Sequence, residues 1–511
     1  MPVTQLGQIN TTALVVPDLY VQIVPPQTQY LNGVPTNILG IVGTASWGPT
    51  NSPTTVGSPA QAAAIFGQAQ NRKYDLMTAI SVATMQGANN FKAVRVTDGT
   101  DVAASIAVLT NCITFTSKYT GTFGNGITVT LSAGSQALTQ KAVVSAPGLV
   151  PEAFYNIGSG LSGNALWVAI ANAINNGTSA IRGPSQIIVA SAGVGVTAPS
   201  AATYTLAGGT DGTTTITGSV LLGQDTVPRK GMYALRNTGA SVAMLADCDD
   251  STTWSTQITY GLSEGTYMVM TGPSGDTIAN AISAKSTAGV DSYAAKLLFG
   301  DWCYWLDTYN QILRLVSPQS FVAGLLANLS PQNSSLNKQI QGIVGTQKSY
   351  ANQQYSSAEL QQLGIAGIDL ITNPVPGGSY FGARFGHNSS SNPVTNGDNY
   401  TRMTNYIAYT LNAGMGKFIG LLQSSTVRTQ AMATISAFLD NLQQQGLIGD
   451  PNGGAAYSVQ VDAANNPASR VALGYMQADV KVKYLAVIEK FLINIEGGTS
   501  VQINKQQTQL A

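Results

Sequence analysis

Charge is what this sequence has least of. Asp, Glu, Lys and Arg make up 9% of its 511 residues, where about 25% is usual for a soluble domain. The 24 basic and 24 acidic residues cancel, and no basic run stands out. Direct nucleic-acid binding needs a clustered positive footprint, so that function class is set aside. There is one histidine, His387, and three cysteines, Cys112, Cys248 and Cys303, far apart and without C-x-x-C spacing. A zinc site and a disulfide framework do not follow from such a set, and the odd count points to reduced, buried thiols. No run of 18 apolar residues occurs, so no membrane-spanning helix is expected. Met1 to Asn10 has neither a basic nor an apolar signal region, so no secretory signal is expected and the chain is read as made and folded in a cytoplasm. No G-x-x-x-x-G-K-[ST] occurs, which leaves no Walker nucleotide site.

What is present is apolar and small-polar. Apolar residues reach 44%, Gly numbers 54, and Ser, Thr, Asn and Gln fill most polar positions. The length predicts several domains with ample core. A surface poor in like-charge repulsion tolerates close self-packing, which suits an assembly subunit; an extracellular or viral composition without assembly is the plainer alternative.

Residues 1–34 read as extended. Leu14, Val16, Tyr20 and Ile23 sit among Pro17, Pro25 and Pro26, which forbid a helix and discourage a central strand. A disordered tail and an arm that adds a strand to another subunit's sheet both fit. Residues 35–97 form the first part of a compact core: a buried strand at Ile38 to Gly43, a helix begun by Ser58-Pro59, and a second carrying Leu76, Ile80 and Ala83 and stopped by Gly87. A strand at Phe91 to Val96 follows. Residues 98–217 turn to short Thr/Ser/Gly-rich strands with one amphipathic helix (Leu166, Ile170, Ile174), the pattern of an inserted β-rich domain. Residues 218–364 alternate strands and helices as a central α/β domain, with Asp276 expected to cap a helix through Ile278 and Ile282. Within it Phe321 to Ala327 follows a proline turn as a helix. Gly324 there costs roughly 1 kcal/mol relative to Ala, so it needs a packing reason such as close approach of another backbone. Residues 365–496 form a C-terminal domain with two helices, marked by Tyr400, Met403, Ile407 and Leu411 and by Val427, Ala431, Ile435, Phe438 and Leu442. Strands follow at Tyr457 to Val461 and Val480 to Tyr484, with Lys481 and Lys483 guarding an edge, and Gly497-Gly498 breaks the chain after Phe491 to Ile495. Residues 497–511 form a C-terminal arm with Val501 and Ile503 alternating. The fold class is therefore mixed α/β and α+β, multidomain, with a compact α/β core, an inserted β-rich domain and extended terminal arms.

Motifs that suggest chemistry fail on context. Gly261-Leu262-Ser263-Glu264-Gly265 fits G-x-S-x-G, but the elbow needs a strand before it, and the strand signal at Tyr267 to Met270 comes after. Gly158-x-Gly160-x-x-Gly163 fits G-x-G-x-x-G, yet about twenty positions on stand Arg182 and Gly183 rather than an acid for a ribose. Asp247, Asp249 and Asp250 lack EF-hand spacing. No catalytic residue, cofactor site or metal site is assigned.

Short motifs in sequence order resemble the contractile bacteriophage tail sheath family. Val16-Pro17-Asp18-Leu19-Tyr20-Val21-Gln22 is similar to its Pro-Gly-Val-Tyr-Val-Glu opening, with Asp18 and Gln22 departing. Ala45-Ser46-Trp47-Gly48-Pro49 resembles Gly-Thr-Ala-x-x-Gly-Pro, and Val94-Arg95-Val96 matches Val-Arg-Val. Tyr119-Thr120-Gly121-Thr122-Phe123-Gly124-Asn125 resembles Tyr-Pro-Gly-x-Trp-Gly-Asn, and Leu206-Ala207-Gly208-Gly209-Thr210-Asp211-Gly212 resembles Leu-x-Gly-Gly-x-Asp-Gly, so two motifs bracket the inserted domain. The stretch Val316 to Gly342 resembles the family's proline turn, Val-Ala-Gly helix and Asn-Lys loop, with Phe321 in place of Gly. Tyr380-Phe381-Gly382-Ala383-Arg384 resembles Trp-Gly-Ala-Arg-Thr.

The resemblance implies a structural, non-enzymatic subunit in a phage tail, assembled in the host cytoplasm. Copies would polymerise helically around an inner tail tube, contact baseplate and tail terminator proteins, and contract to drive the tube through the host envelope. It assigns Leu14, Val16, Tyr20, Ile23, Val501 and Ile503 to inter-subunit arm strands. It also offers the helix from Ser425, with Arg428, Gln443 and Gln444, as a tube-facing surface, although the apolar stripe of that helix suits a plain core helix equally. Alternatives are the sheath of a non-viral, tailocin-like injection device and a secreted β-rich adhesin or hydrolase using Ser263 and His387.

Overall fold

The computed structural model describes residues 3–4, 21–22, 31–495 and 497. Its centre is one six-stranded sheet built from two distant parts of the chain. In chain order the strands are Leu39–Gly43, Thr54–Val56, Phe91–Arg95, Val242–Leu245, Tyr267–Thr271 and Ala295–Leu298. In space the order is 295, 267, 242, 39, 91, 54, parallel throughout except for the last, which runs antiparallel at the edge. Residues 35–97 and 218–364 are therefore halves of one sheet, stitched by Val242 opposite Leu39 and Leu39 opposite Phe91. Most of these strands are buried along their whole length, as a parallel sheet covered on both faces requires.

Helices Pro59–Phe66, Leu76–Met85 and Pro318–Asn328 cover one face, and Trp254–Glu264 and Ile278–Thr287 the other. Local chemistry starts them as expected: the Ser58 side chain accepts from the Gln61 amide with Pro59 in the first turn. Asp276 does not cap the helix after it; Thr277 does, accepting from the Asn280 amide. Helix Pro318–Asn328 is buried from Pro318 to Ala327. A Cβ on Gly324 would lie 2.6 Å from Ala83 Cα and 2.7 Å from Ala83 O. That glycine lets two helix backbones touch.

The β-rich insertion has its own core, running from Ala104 to Leu206 and including Trp47. It comprises a four-stranded and a three-stranded antiparallel sheet. Helix Gly163–Asn176 packs Leu166, Trp167, Ile170 and Ile174 inward.

The C-terminal boundary differs from the expectation at 365. Residues 368–370 extend the central sheet, with Phe299 N donating to Asp369 O at 2.7 Å and Asp369 N to Leu297 O at 2.9 Å. Ile368 and Leu370 join the central core, and the separate C-terminal core begins at Met403. That lobe holds helices Asp398–Met415 and Ser425–Gln444 and the hairpin Tyr457–Gln460 with Asp479–Val482. The segment Phe491 to Ile495 follows the hairpin. It is irregular and exposed, with Ile488, Phe491, Leu492 and Ile495 each about four-fifths or more open to solvent.

Candidate assembly surfaces and the joints behind them

In an open α/β sheet, ligands bind at the carboxyl ends of strands where the strand order reverses. Here that point lies between Leu39–Gly43 and Val242–Leu245, and the chain itself occupies it. Thr44 pairs with the Tyr74–Leu76 backbone, and buried Asp247 accepts from the Ser317 amide at 3.2 Å. The neighbouring acids are engaged separately: Asp249 pairs with Lys73 at 2.7 Å, and Asp250 accepts from the Thr252 amide. Ser263 lies near the C-terminus of helix Trp254–Glu264 and donates to Tyr260 O, so no nucleophile elbow forms. His387 contacts Glu489 at 2.8 Å instead of a serine.

The two motifs that bracket the insertion meet at its joint with the core. Buried Arg95 donates from Nη1 to Gly48 O and Thr120 O, each at 2.8 Å, and burial lowers its pKa to about 10 against the pull of Asp101 and Asp211. Asp211 accepts from the Thr122 amide at 2.6 Å and pairs with Arg72 at 2.6 Å. Arg72 in turn reaches Asp75, the cap of helix Leu76–Met85. Asn125 closes the joint by donating to Gly209 O and accepting from Gly209 N. Charges fully enclosed in this way must be paired and hydrogen-bonded.

A second buried network joins the C-terminal lobe to the sheet. Lys296 projects from the last central strand and is fully enclosed, as are its partners. Its Nζ lies 2.5 Å from Asp369 Oδ2 and 3.5 Å from Asp398 Oδ2, and donates to His387 O at 2.9 Å. Burial pushes the Asp369 carboxyl up, but Lys296 and donated amides from Leu370, Phe385 and Gly386 outweigh it and hold its pKa below the ordinary value. Asp398 opens the first lobe helix and accepts from Ser335 N and Oγ, in the loop after helix Pro318–Asn328. One turn on, Arg402 donates to the carbonyls of Leu329, Ser330 and Asn333, and burial lowers its pKa to about 10.

Both extended ends of the described chain rest on this lobe. Leu31 packs against its core, and Val34 N donates to Thr410 Oγ1. At the other end Tyr484 contacts Tyr400 and Thr404, after which the chain runs out exposed. The hairpin between them is only two strands wide, with both outer edges unpaired among the described residues.

The arm positions Leu14, Val16, Tyr20, Ile23, Val501 and Ile503 lie outside the described residues. In the N-terminal segment, Val3–Thr4 pairs in parallel with Val21–Gln22, a local pairing the sequence did not suggest. Helix Ser425–Gln444 buries Ala431, Ile435, Phe438 and Leu442 as the spacing required. Gln443 and Gln444 are exposed in its last turn, whereas Arg428 is half-buried in its first. At 1.5 Å per residue the two ends stand about 22 Å apart, so these three residues are not one patch. Sequence reasoning missed Lys296, Asp398 and Arg402, although a lysine inside an apolar strand, Ala295–Leu298, was a signal of a buried ion pair.

Residues 36–96, the first part of the central sheet, match the family described as tail sheath protein Gp18 domain III N-terminal region. No curated protein matches the chain in sequence. Among solved structures the chain is similar to a sheath tail protein from Desulfitobacterium hafniense, with a TM-score of 0.58, 15% identity, and coverage of 86% of this chain and 93% of that one. It is similar to the sheath tail protein Lin1278 from Listeria innocua, with a TM-score of 0.60, 14% identity and coverage of 85% and 90%. It is also similar to the PVC sheath complex of an extracellular contractile injection system in the contracted state, with a TM-score of 0.55, 12% identity and coverage of 96% and 99%. At these identities the likeness is one of fold, and it spans nearly the whole chain. By fold the chain is similar to the sheath proteins of contractile tail-like systems, and its residues 36–96 match a tail sheath protein domain.

Proposed function

We propose that this chain is the repeating subunit of a contractile sheath, in a phage tail or a non-viral injection device. Copies polymerise helically around an inner tube, and a change in their packing shortens the lattice and drives the tube through a bacterial envelope. The observation that carries this is the C-terminal lobe. It presents a two-stranded hairpin with open edges and, beyond it, an apolar segment at 485–495 that is largely exposed and held to the lobe by Leu485 beside Gly449 and Glu489 on His387.

A two-stranded sheet alone is marginal and needs further strands. A neighbour's extended segment supplies them, each backbone hydrogen bond contributing roughly 0.5–1.5 kcal/mol net. A repeated contact between unlike surfaces that does not close gives a helical array. The N-terminal arm then comprises Leu14, Val16, Tyr20 and Ile23. The C-terminal arm begins at about Leu485 and runs on through Val501 and Ile503. Such strands keep neighbours connected while the central bodies rotate between two packings, the energy residing in the difference between them.

The exposed face of helix Ser425–Gln444 is the tube-facing surface in this reading, Gln443 and Gln444 at one end and Arg428 at the other. Baseplate and terminator proteins cap the array, which assembles in the host cytoplasm and ends in the particle. The subunit works without catalysis, since Ser263 and His387 hold structural contacts. Deleting residues 1–24, or the chain from 485 on, leaves a folded monomer that no longer polymerises. Intact tubes from both truncations would refute the arm assignment.

A further inference from the structure

Arg384 has no role in either joint. It follows the short strand Gly382–Ala383, which pairs with Ile371–Thr372, and its amide donates to Leu370 O at 2.9 Å. Its side chain and that of Thr372 line a pocket of about 380 Å³, walled also by Gln354, Tyr355, Asn373 and Pro376. That volume falls in the range of small-ligand sites.

Two features mark the pocket as built for an occupant. Thr372 is 7% exposed, yet its hydroxyl has no hydrogen-bond partner. Buried hydroxyls are normally satisfied, and an orphan calls for an explanation. Arg384, half-buried, makes no ion pair among the described residues, and its guanidinium lies over the Phe385 ring, 6.0 Å from the centroid. No carboxylate lines the cavity. Behind the wall, Asp301 accepts from the Tyr355 hydroxyl at 2.8 Å and the Lys348 amide at 3.0 Å. The site thus offers a planar fork of N–H donors, the free Thr372 hydroxyl and a net positive charge, with no carboxylate in its lining.

We propose that this pocket binds a carboxylate, held by paired N–H donors of Arg384 and by the Thr372 hydroxyl. Arginine and carboxylate match in this bidentate geometry. The carboxylate comes either from an acidic side chain of a neighbouring copy or from a free organic acid. The first source rests on the sheath reading; the second does not.

Three variants test it: Arg384→Met, which keeps the apolar stem and removes the charge; Arg384→Glu, which reverses it; and Thr372→Val, which removes the orphan hydroxyl at nearly constant volume. If the occupant is a neighbour's side chain, all three keep the wild-type Tm as monomers. Arg384→Met then raises the critical concentration for tube formation about tenfold, the loss of one charge-assisted pair, and Arg384→Glu abolishes tubes. If it is a free acid, sodium succinate raises the Tm of the wild type above sodium chloride of equal ionic strength, and raises none of the variants. Unchanged assembly together with no succinate shift overturns the proposal. Should the wild type form no tubes, the sheath reading fails and the succinate measurement alone decides the pocket.

Discussion

Replacing Gly324 by Ala sets two opposing effects against each other. In an open helix the change gains about 1 kcal/mol, because Ala loses less backbone freedom. Here the new methyl lands 2.6 Å from Ala83 Cα, 2.7 Å from Ala83 O and 3.0 Å from Ala83 C. Carbon atoms prefer roughly 3.5–4.0 Å, so the two helices must part by about 1 Å. All three contacts are backbone, and both helices lie in the central core, so no flexible side chain can yield. Overpacking of this kind costs up to about 3 kcal/mol, which leaves a net loss of about 2 kcal/mol. With a urea slope of about 2 kcal/mol/M, the midpoint of the core transition falls by about 1 M. Urea titration followed by tryptophan fluorescence reads this directly. Gly416→Ala is the control, since a Cβ there meets nothing within 4 Å and φ is −55°; its midpoint stays or rises slightly. A Gly324→Ala midpoint equal to or above wild type would refute the close-approach argument.

Lys296→Met leaves Asp369 and Asp398 buried without their cation. Loss of one partner from such a network costs about 3–5 kcal/mol, and hydrogen exchange will show deprotection spreading from the 295–298 strand into helix Asp398–Met415. Asp369→Asn tests the pH linkage. The folded-state pKa of Asp369 is depressed from 3.8, so its stabilisation is complete above that value and is lost as pH falls through the lower folded-state value. The stability difference between wild type and Asp369→Asn is therefore flat at neutral pH and shrinks below about pH 4 in acid titrations followed by circular dichroism; a difference that grows on acidification would contradict the assignment. Asp211→Asn removes one of the two carboxylate partners of Arg72 and weakens the acceptor for Thr122, and limited proteolysis will detect the loosened insertion as faster cutting near residues 98 and 213.

Periodicity made much of the fold legible. The stripe Val427, Ala431, Ile435, Phe438 and Leu442 forms a buried helix face apart from half-buried Val427, and Ser58-Pro59 starts a helix where capping chemistry places one. Gly324 stood out because a helix tolerates such a residue only for a packing reason. What stayed hidden depends on long-range contact. Nothing local in residues 365–371 shows that Asp369 hydrogen-bonds the strand after Ala294, so the lobe boundary was placed some thirty residues early. The bracketing motifs were visible as motifs only. Their physical reason, a buried Arg95 reading the carbonyls of Gly48 and Thr120, appears once residues 48, 95, 120 and 211 are brought together.

The central claim is that copies of this chain make a sheath through their arms. Negative-stain electron microscopy of the purified full-length protein, alone and with the inner-tube protein, tests it most directly. The account predicts hollow, regular helical tubes without added nucleotide or metal, and none from the chain cut before Leu485. A protein that stays monomeric even with the tube protein present would contradict it.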